Sequence, residues 1–340
     1  MGSPVSRHLL ALGTILLVTV FCYGNTLDVP FVLDDITSVL GNPLVKEFHL
    51  ALRPRIMGDA SFALNYALSG FSLAGYHLAN LFIHGATGCL VYLFCCLLLH
   101  SLQVTGVPKA ADRPAWRLLP LLTALLFTVH PVQTQAVTYL AQRVTALAAL
   151  FYLASLCLYL VARQQLKGGC GRRAALFAAA AITGLLAMLT KENAATLPLV
   201  VLLCELVIFP GRGWRRLLAP LGFFALALVV PLVWSLARPG AGGLGALLVR
   251  ISADTPAIPR FTYLATQLRV VVTYLRLLVL PVGQNLDYDY PLATSFAASP
   301  VLAALAVHLV LLAVAGFLLW HSRRAAPATA PGLRLVAFGI

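Results

Sequence analysis

The chain reads as an all-α polytopic membrane protein, and three observations carry that reading. Hydrophobic residues make up 60% of its 340 residues and charged residues only 10%, against about 25% charged in a soluble domain. Apolar runs of about 20 residues, enough to cross a hydrocarbon core of about 30 Å, recur along the whole length. Basic residues collect in short segments between those runs. The net charge of +13 therefore reads as membrane orientation, and nucleic acid is not an expected partner.

The first span is expected over about 8–23. Arg7 precedes it, no small-residue cleavage site follows, and further spans come after, which favours an uncleaved signal anchor. A polar connection, the first outer loop of about 24–75, holds Asp34-Asp35 and Arg53-Pro54-Arg55. Further spans are expected near 76–100, 118–138, 144–162, 174–190, 196–210, 218–236 and 298–320. The stretch 262–283 is ambiguous. Arg269 and Arg276 share roughly one helical face there, and a crossing would put Arg323-Arg324 outside, against the charge rule. An interfacial helix is expected instead, within an outer hairpin of about 237–297. The last segment, 333–340, reads as the start of another span that stops mid-run. The whole is expected to form one membrane domain, 1–340.

Lysine and arginine counts orient the set. Segments with Arg7; Lys109, Arg113 and Arg117; Arg163, Lys167, Arg172 and Arg173; Arg212, Arg215 and Arg216; and Arg323-Arg324 should be cytoplasmic. The acidic pair, the turn at Gln142-Arg143 and the turn Lys191-Glu192-Asn193 then share the outer face, and Asp287-Tyr288-Asp289-Tyr290 joins them. The seven cysteines show no Cys-x-x-Cys pair and no grouping with histidine at metal-site spacing, so free thiols are expected.

Only 11 residues are Asp or Glu, and two stand side by side just past the first span. Asp34-Asp35 reads either as an exposed loop or cap, or as a general base or cation site at a membrane face. A divalent cation is the one cofactor the pair would draw, and two adjacent carboxylates alone make an incomplete site. Arg143 and Lys191 read as snorkelling anchors or as cations facing an anionic lipid phosphate. Asn80 and His84, four apart on the second span, share a face with His77 nearby. Interhelical hydrogen bonding is the simpler role for them and cavity lining the alternative. His130 closes the third span at Pro131, and Glu192 follows Lys191.

An ordered set of motifs runs through these positions: Phe31-Val32-Leu33-Asp34-Asp35, Ser61-Phe62-Ala63-Leu64-Asn65-Tyr66, and Gly75-Tyr76-His77-Leu78-Ala79-Asn80-Leu81-Phe82-Ile83-His84. His130-Pro131-Val132-Gln133-Thr134-Gln135-Ala136-Val137 and Lys191-Glu192-Asn193-Ala194-Ala195-Thr196-Leu197-Pro198 follow. Over about 8–320 the set resembles the membrane domain of the transmembrane O-mannosyltransferases that carry tetratricopeptide repeats, especially their bacterial relatives. That family belongs to the C-type glycosyltransferase superfamily.

The resemblance implies a helical bundle with outer-face loops and a polyprenyl-phosphate-linked sugar as donor. The sugar would be mannose, and the acceptor a protein Ser or Thr hydroxyl. It implies a catalytic carboxylate at Asp34 or Asp35 and a donor phosphate held by Arg143 and Lys191. His84, His130, Glu192, Asp287 and Asp289 would line the cavity. The membrane would be a bacterial inner membrane with the site facing the periplasm, or an endoplasmic reticulum membrane in a eukaryote. Two positions depart from the animal pattern, which has acidic residues where this chain has Gln135 and near Thr145. No 34-residue helical repeat is present, and the chain reads as ending before the repeats begin. A lipid-linked sugar transporter or flippase would need polar residues through the bilayer centre, whereas the polar groups here gather at one face. A non-catalytic membrane scaffold is the remaining alternative.

Overall fold

The computed structural model describes residues 4–49, 53–104, 114–165, 169–209, 213–236, 258–326 and 329–340. Among them every regular element is helical. In chain order these are α1 (Pro4–Tyr23), α2 (Pro43–Lys46), α3 (Ile56–Ser69), α4 (Leu73–Val104), α5 (Pro114–Val129) and α6 (Gln133–Thr138). After them come α7 (Arg143–Gln164), α8 (Cys170–Thr190), α9 (Leu197–Val207), α10 (Leu218–Leu236), α11 (Arg260–Val279), α12 (Ser299–Ser322) and α13 (Ala330–Gly339). Five described stretches are long and apolar enough to cross a membrane: Val5–Thr26, Leu73–Leu102, Leu140–Gln164, Cys170–Thr190 and Ser299–Ser322. The chain is an all-α polytopic membrane protein. Lys109, Arg113, Lys167 and Arg212, and the expected hairpin from 237 to 257, lie outside the described residues.

Two expected spans come out differently. The run expected at 118–138 is two helices, because Pro131 has no N–H to donate and crowds the preceding turn. Helix α5 therefore stops at Val129 and α6 starts at Gln133. The break leaves carbonyls at the end of α5 without helical partners. Two neighbouring helices supply donors: the Tyr23 hydroxyl of α1 at 3.2 Å and the His84 ring of α4 at 3.1 Å, both on the Thr128 carbonyl. The segment expected at 196–210 holds only the 11-residue α9, about 17 Å of helix, entered through a 3₁₀ turn at Glu192–Thr196. Helix α11 occupies most of 262–283 and is not among the five crossing stretches.

The chain packs as two compact units, Met1–Val230 and Pro231–Ile340, with the division inside α10. In the first unit α4 is the central helix, packed against α1, α5 and α7, and α7 packs in turn on α8. Gly88 explains one close approach. A Cβ there would stand 2.8 Å from Thr128 Oγ1 and 3.0 Å from Ile15 Cγ2, so only a bare backbone lets α1 and α5 press on α4 at this level. Above the bundle, Val39, Val45, Phe62, Tyr76 and Leu140 form a buried apolar platform, with Phe31, Tyr66, Phe71 and Val144 against it. The platform ties the segment between α1 and α4 to Tyr76 of α4 and to Leu140.

In the second unit, Ala265 of α11 packs with Ala293 and Val301. The Thr266 hydroxyl accepts the Ala293 N–H at 2.9 Å. Arg269 donates to the Pro291 carbonyl at 3.2 Å and lies over the Tyr290 ring at 5.1 Å.

Candidate functional site

The acidic pair follows a backbone kink. Leu33 has φ 46, one of two non-glycine residues in the left-handed region among the described residues, a conformation that costs roughly 1–2 kcal/mol for a side chain with Cβ. The kink turns the neighbouring aspartates to different fates. Asp35 is 1% exposed. Its Oδ2 accepts the Val32 N–H at 3.1 Å and its Oδ1 the Ala141 N–H at 2.6 Å. Burial raises its pKa above the ordinary carboxylate value, while the N–H groups of Val32, Ala141 and Leu140 and the nearby His77 pull it back. Asp34 is exposed, and its backbone N–H donates to the Tyr139 hydroxyl at 2.9 Å. Asp35 fastens the loop; Asp34 faces outward.

Two more ties fix this loop. His77 of α4 is buried, and its Nε2 lies 2.8 Å from the Val29 carbonyl, which assigns the ring hydrogen to that nitrogen. Asn42 caps α2 by accepting the Leu44 N–H at 3.1 Å and donates to Asp59 of α3 at 3.1 Å. Asp59 also pairs with Arg53 at 3.3 Å.

Arg143 begins α7 and points inward. It is 1% exposed, and its guanidinium meets neutral oxygens: Asn80 Oδ1 at 2.6 Å, the Tyr76 carbonyl at 2.7 Å and the Ser61 carbonyl at 3.3 Å. Phe62 and Tyr76 cover it at 4.7 and 5.1 Å from their ring centres. The side chain expected to hold a phosphate thus knits α3, α4 and α7 together beneath the loop. Asn80 completes the knot by donating to the Val137 carbonyl at 3.0 Å.

Lys191 stands differently. It follows α8 in extended backbone, φ −152 and ψ 140, and its ammonium donates to Thr145 Oγ1 at 2.6 Å. Thr145 in turn donates to Gln142 Oε1 at 2.7 Å. A chain of polar contacts therefore runs from the turn that receives Asp35 to the tip joining α8 and α9. Glu192 is exposed and takes Arg55 at 3.2 Å. Arg55, like Leu33, is left-handed, φ 61, at the start of α3. Arg55 and Tyr139 were not singled out from sequence. Arg55 lies in the quoted Arg53-Pro54-Arg55 run, and the spare basic charge beside the acidic pair was the available signal.

The remaining candidates divide. His84 is 3% exposed, bonded to Thr128 and stacked on Phe127 at 5.5 Å. Its ring links α4 to the end of α5 through the Thr128 carbonyl. His130 accepts the Val132 N–H at 3.3 Å and shapes the break after α5. Asp287 and Asp289 are exposed in the second unit, on a loop turned by Gly283 at φ 67. Among the described residues no group of three or more His, Cys, Asp or Glu is gathered for a metal ion. With Asp35 occupied by two backbone N–H groups, Asp34 and water would be the main ligands for a cation here, which is a poor fit. All seven cysteines are free.

Comparison with known proteins points one way. The chain is 29% identical to Protein O-mannosyl-transferase Tmtc3 of Drosophila melanogaster over 236 residues, 61% of this chain and 25% of that protein. It is 30% identical to human Protein O-mannosyl-transferase TMTC4 over 205 residues, 53% of this chain and 27% of that protein. With mouse Protein O-mannosyl-transferase TMTC1 it shares 31% over 171 residues, 44% of this chain and 16% of that protein. The chain spans about a quarter or less of the length of these curated relatives. No family model matches it, and no solved structure does.

Proposed function

We propose that the outer end of the first unit is the active site of a membrane glycosyltransferase. It transfers a sugar, mannose by analogy with the relatives, from a polyprenyl-phosphate donor to a Ser or Thr hydroxyl of an acceptor protein. The site faces away from the cytosol, toward the periplasm of a bacterial inner membrane or the lumen of the endoplasmic reticulum. One observation carries the reading most: of two adjacent aspartates, one is locked by backbone donors and the other is left exposed at the same helical end as Lys191.

Asp34 is the general base. It takes the proton of the acceptor hydroxyl as that oxygen bonds to the anomeric carbon. The bond from that carbon to the donor phosphate breaks, and its electron pair leaves on the phosphate oxygen. A single displacement of this kind inverts the anomeric carbon. Lys191, with Arg55 beside it across Glu192, offsets the negative charge growing on the phosphate. Arg143 is assigned to the frame of this site and not to the phosphate, because its donors meet Asn80, Tyr76 and Ser61. The charged groups of the first unit stand near helix ends, which favours an enzyme over a carrier with a polar path through the bilayer.

The test is transfer of labelled mannose from a polyprenyl-phosphate donor to acceptor protein in proteoliposomes. Asp34→Asn should lower turnover by about 10²–10⁴-fold, the range of a lost general base, with the thermal midpoint unchanged. An Asp34→Asn protein that turns over like wild type sinks this assignment.

A further inference from the structure

The proposed reaction needs the Asp34 carboxylate held in one place, yet Asp34 is exposed and follows a residue in an unfavourable backbone conformation. A loop of that kind relaxes unless something restrains it. We infer that Tyr139 is the positioning residue of this site: its phenol oxygen accepts the Asp34 backbone N–H and clasps the left-handed turn that presents the base. The inference rests on the role given to Asp34 above.

Three observations support it. Tyr139 is 6% exposed and stands in extended backbone, φ −83 and ψ 110, between α6 and the 3₁₀ turn at Leu140–Gln142. It is therefore held by its own surroundings and can hold something else. Two residues later, the Ala141 N–H binds Asp35, so one short turn receives both aspartates. Having accepted the Asp34 N–H, the hydroxyl keeps its own hydrogen. The Asp34 carboxylate lies within its reach, and burial pushes the phenol pKa up, which keeps that hydrogen in place. A phenylalanine would fill the same space and make neither contact. If Tyr139 served packing alone, the hydroxyl would be dispensable.

The experiment is Tyr139→Phe in the full chain, assayed in proteoliposomes with dolichyl-phosphate mannose and run beside Tyr139→Phe combined with Leu33→Asn. Asparagine tolerates the left-handed region better than leucine, so the double variant relieves the conformation the clasp has to hold. Tyr139→Phe should lose kcat by about 10- to 100-fold, the scale of one charge-assisted hydrogen bond. The donor KM and the thermal midpoint should stay as in wild type, and the double variant should regain most of the lost kcat. Amide exchange of the peptide over 29–36 should quicken in Tyr139→Phe and slow again in the double variant. Wild-type kcat in Tyr139→Phe, or a loss that Leu33→Asn does not recover, overturns the inference. A wild-type protein that transfers no mannose from this donor overturns the glycosyltransferase reading instead.

Discussion

Each end of α7 carries an arginine, and the two are treated in opposite ways. Arg143, at the first turn, is buried among neutral oxygens and aromatic rings. Arg163, in the last turn, meets a carboxylate. Its Nη2 lies 2.9 Å from Glu205 Oε2, Glu205 is 1% exposed, and the Tyr159 hydroxyl donates to the same group. The helix dipole favours the second placement and opposes the first. At the Arg163 end, charge is neutralised within the protein and Phe209 covers it at 4.5 Å. At the other end, Arg143 and Asp35 each bond to backbone or amide groups. Asp34, exposed, and Lys191, bonded to Thr145, stand at that same end.

The contrast is sharpest at Glu205. Glu205→Ala leaves Arg163 without its carboxylate in a buried setting, and removing one partner of such a pair costs about 3–5 kcal/mol. Thermal unfolding in detergent should show a large fall in midpoint. Arg163→Met with Glu205→Leu should recover much of it, since removing both charges leaves neither bare. A Glu205→Ala protein as stable as wild type would erase the distinction between the ends.

Asp35 gives a smaller effect with a definite sign. Burial raises its folded-state pKa, so the folded protein holds that proton more tightly than the unfolded chain. Stability from this group is present at low pH and is lost as pH rises from the ordinary carboxylate value through the raised one. The wild-type midpoint should therefore carry a downward component over that window, and Asp35→Asn should lack it. Equal slopes in the two proteins would mean that Asp35 does not hold its proton more tightly in the folded protein.

The smallest effect belongs to Glu192. Its pair with Arg55 is half exposed, at 57% and 48%, and such pairs contribute about 0–1 kcal/mol. Glu192→Gln should leave the midpoint almost unchanged while releasing Arg55 toward the donor. The donor KM should fall by about 2- to 5-fold, the equivalent of that energy. An unchanged KM would remove Arg55 from the phosphate side of the site.

Most of the bundle was legible because apolar runs long enough to cross a membrane have few other uses. The end of α5 was legible too, in Pro131, although the run read as continuous to 138. The fates of Asp34 and Asp35 were not. They are neighbours in a loop without periodicity, and the left-handed turn at Leu33 that separates them has no glycine or asparagine to announce it. The direction in which Arg143 points was not legible for a related reason. Its helix is apolar on most sides, so nothing in the spacing says which side faces α3 and α4, and an arginine near a span end resembles an anchor. Tyr139 and Arg55 matter through partners 105 and 137 residues away in the chain, beyond the reach of local patterns.

The shared carbonyl at Thr128 has a bearing on biosynthesis. Tyr23 and His84 both precede it in the chain, so as the polypeptide emerges the two donors are made before their acceptor. The first two long helices therefore enter the bilayer each carrying a polar group that waits for the third. Completion of α5 lets all three lock at one level, and the kinked segment acts as the keystone of the early bundle.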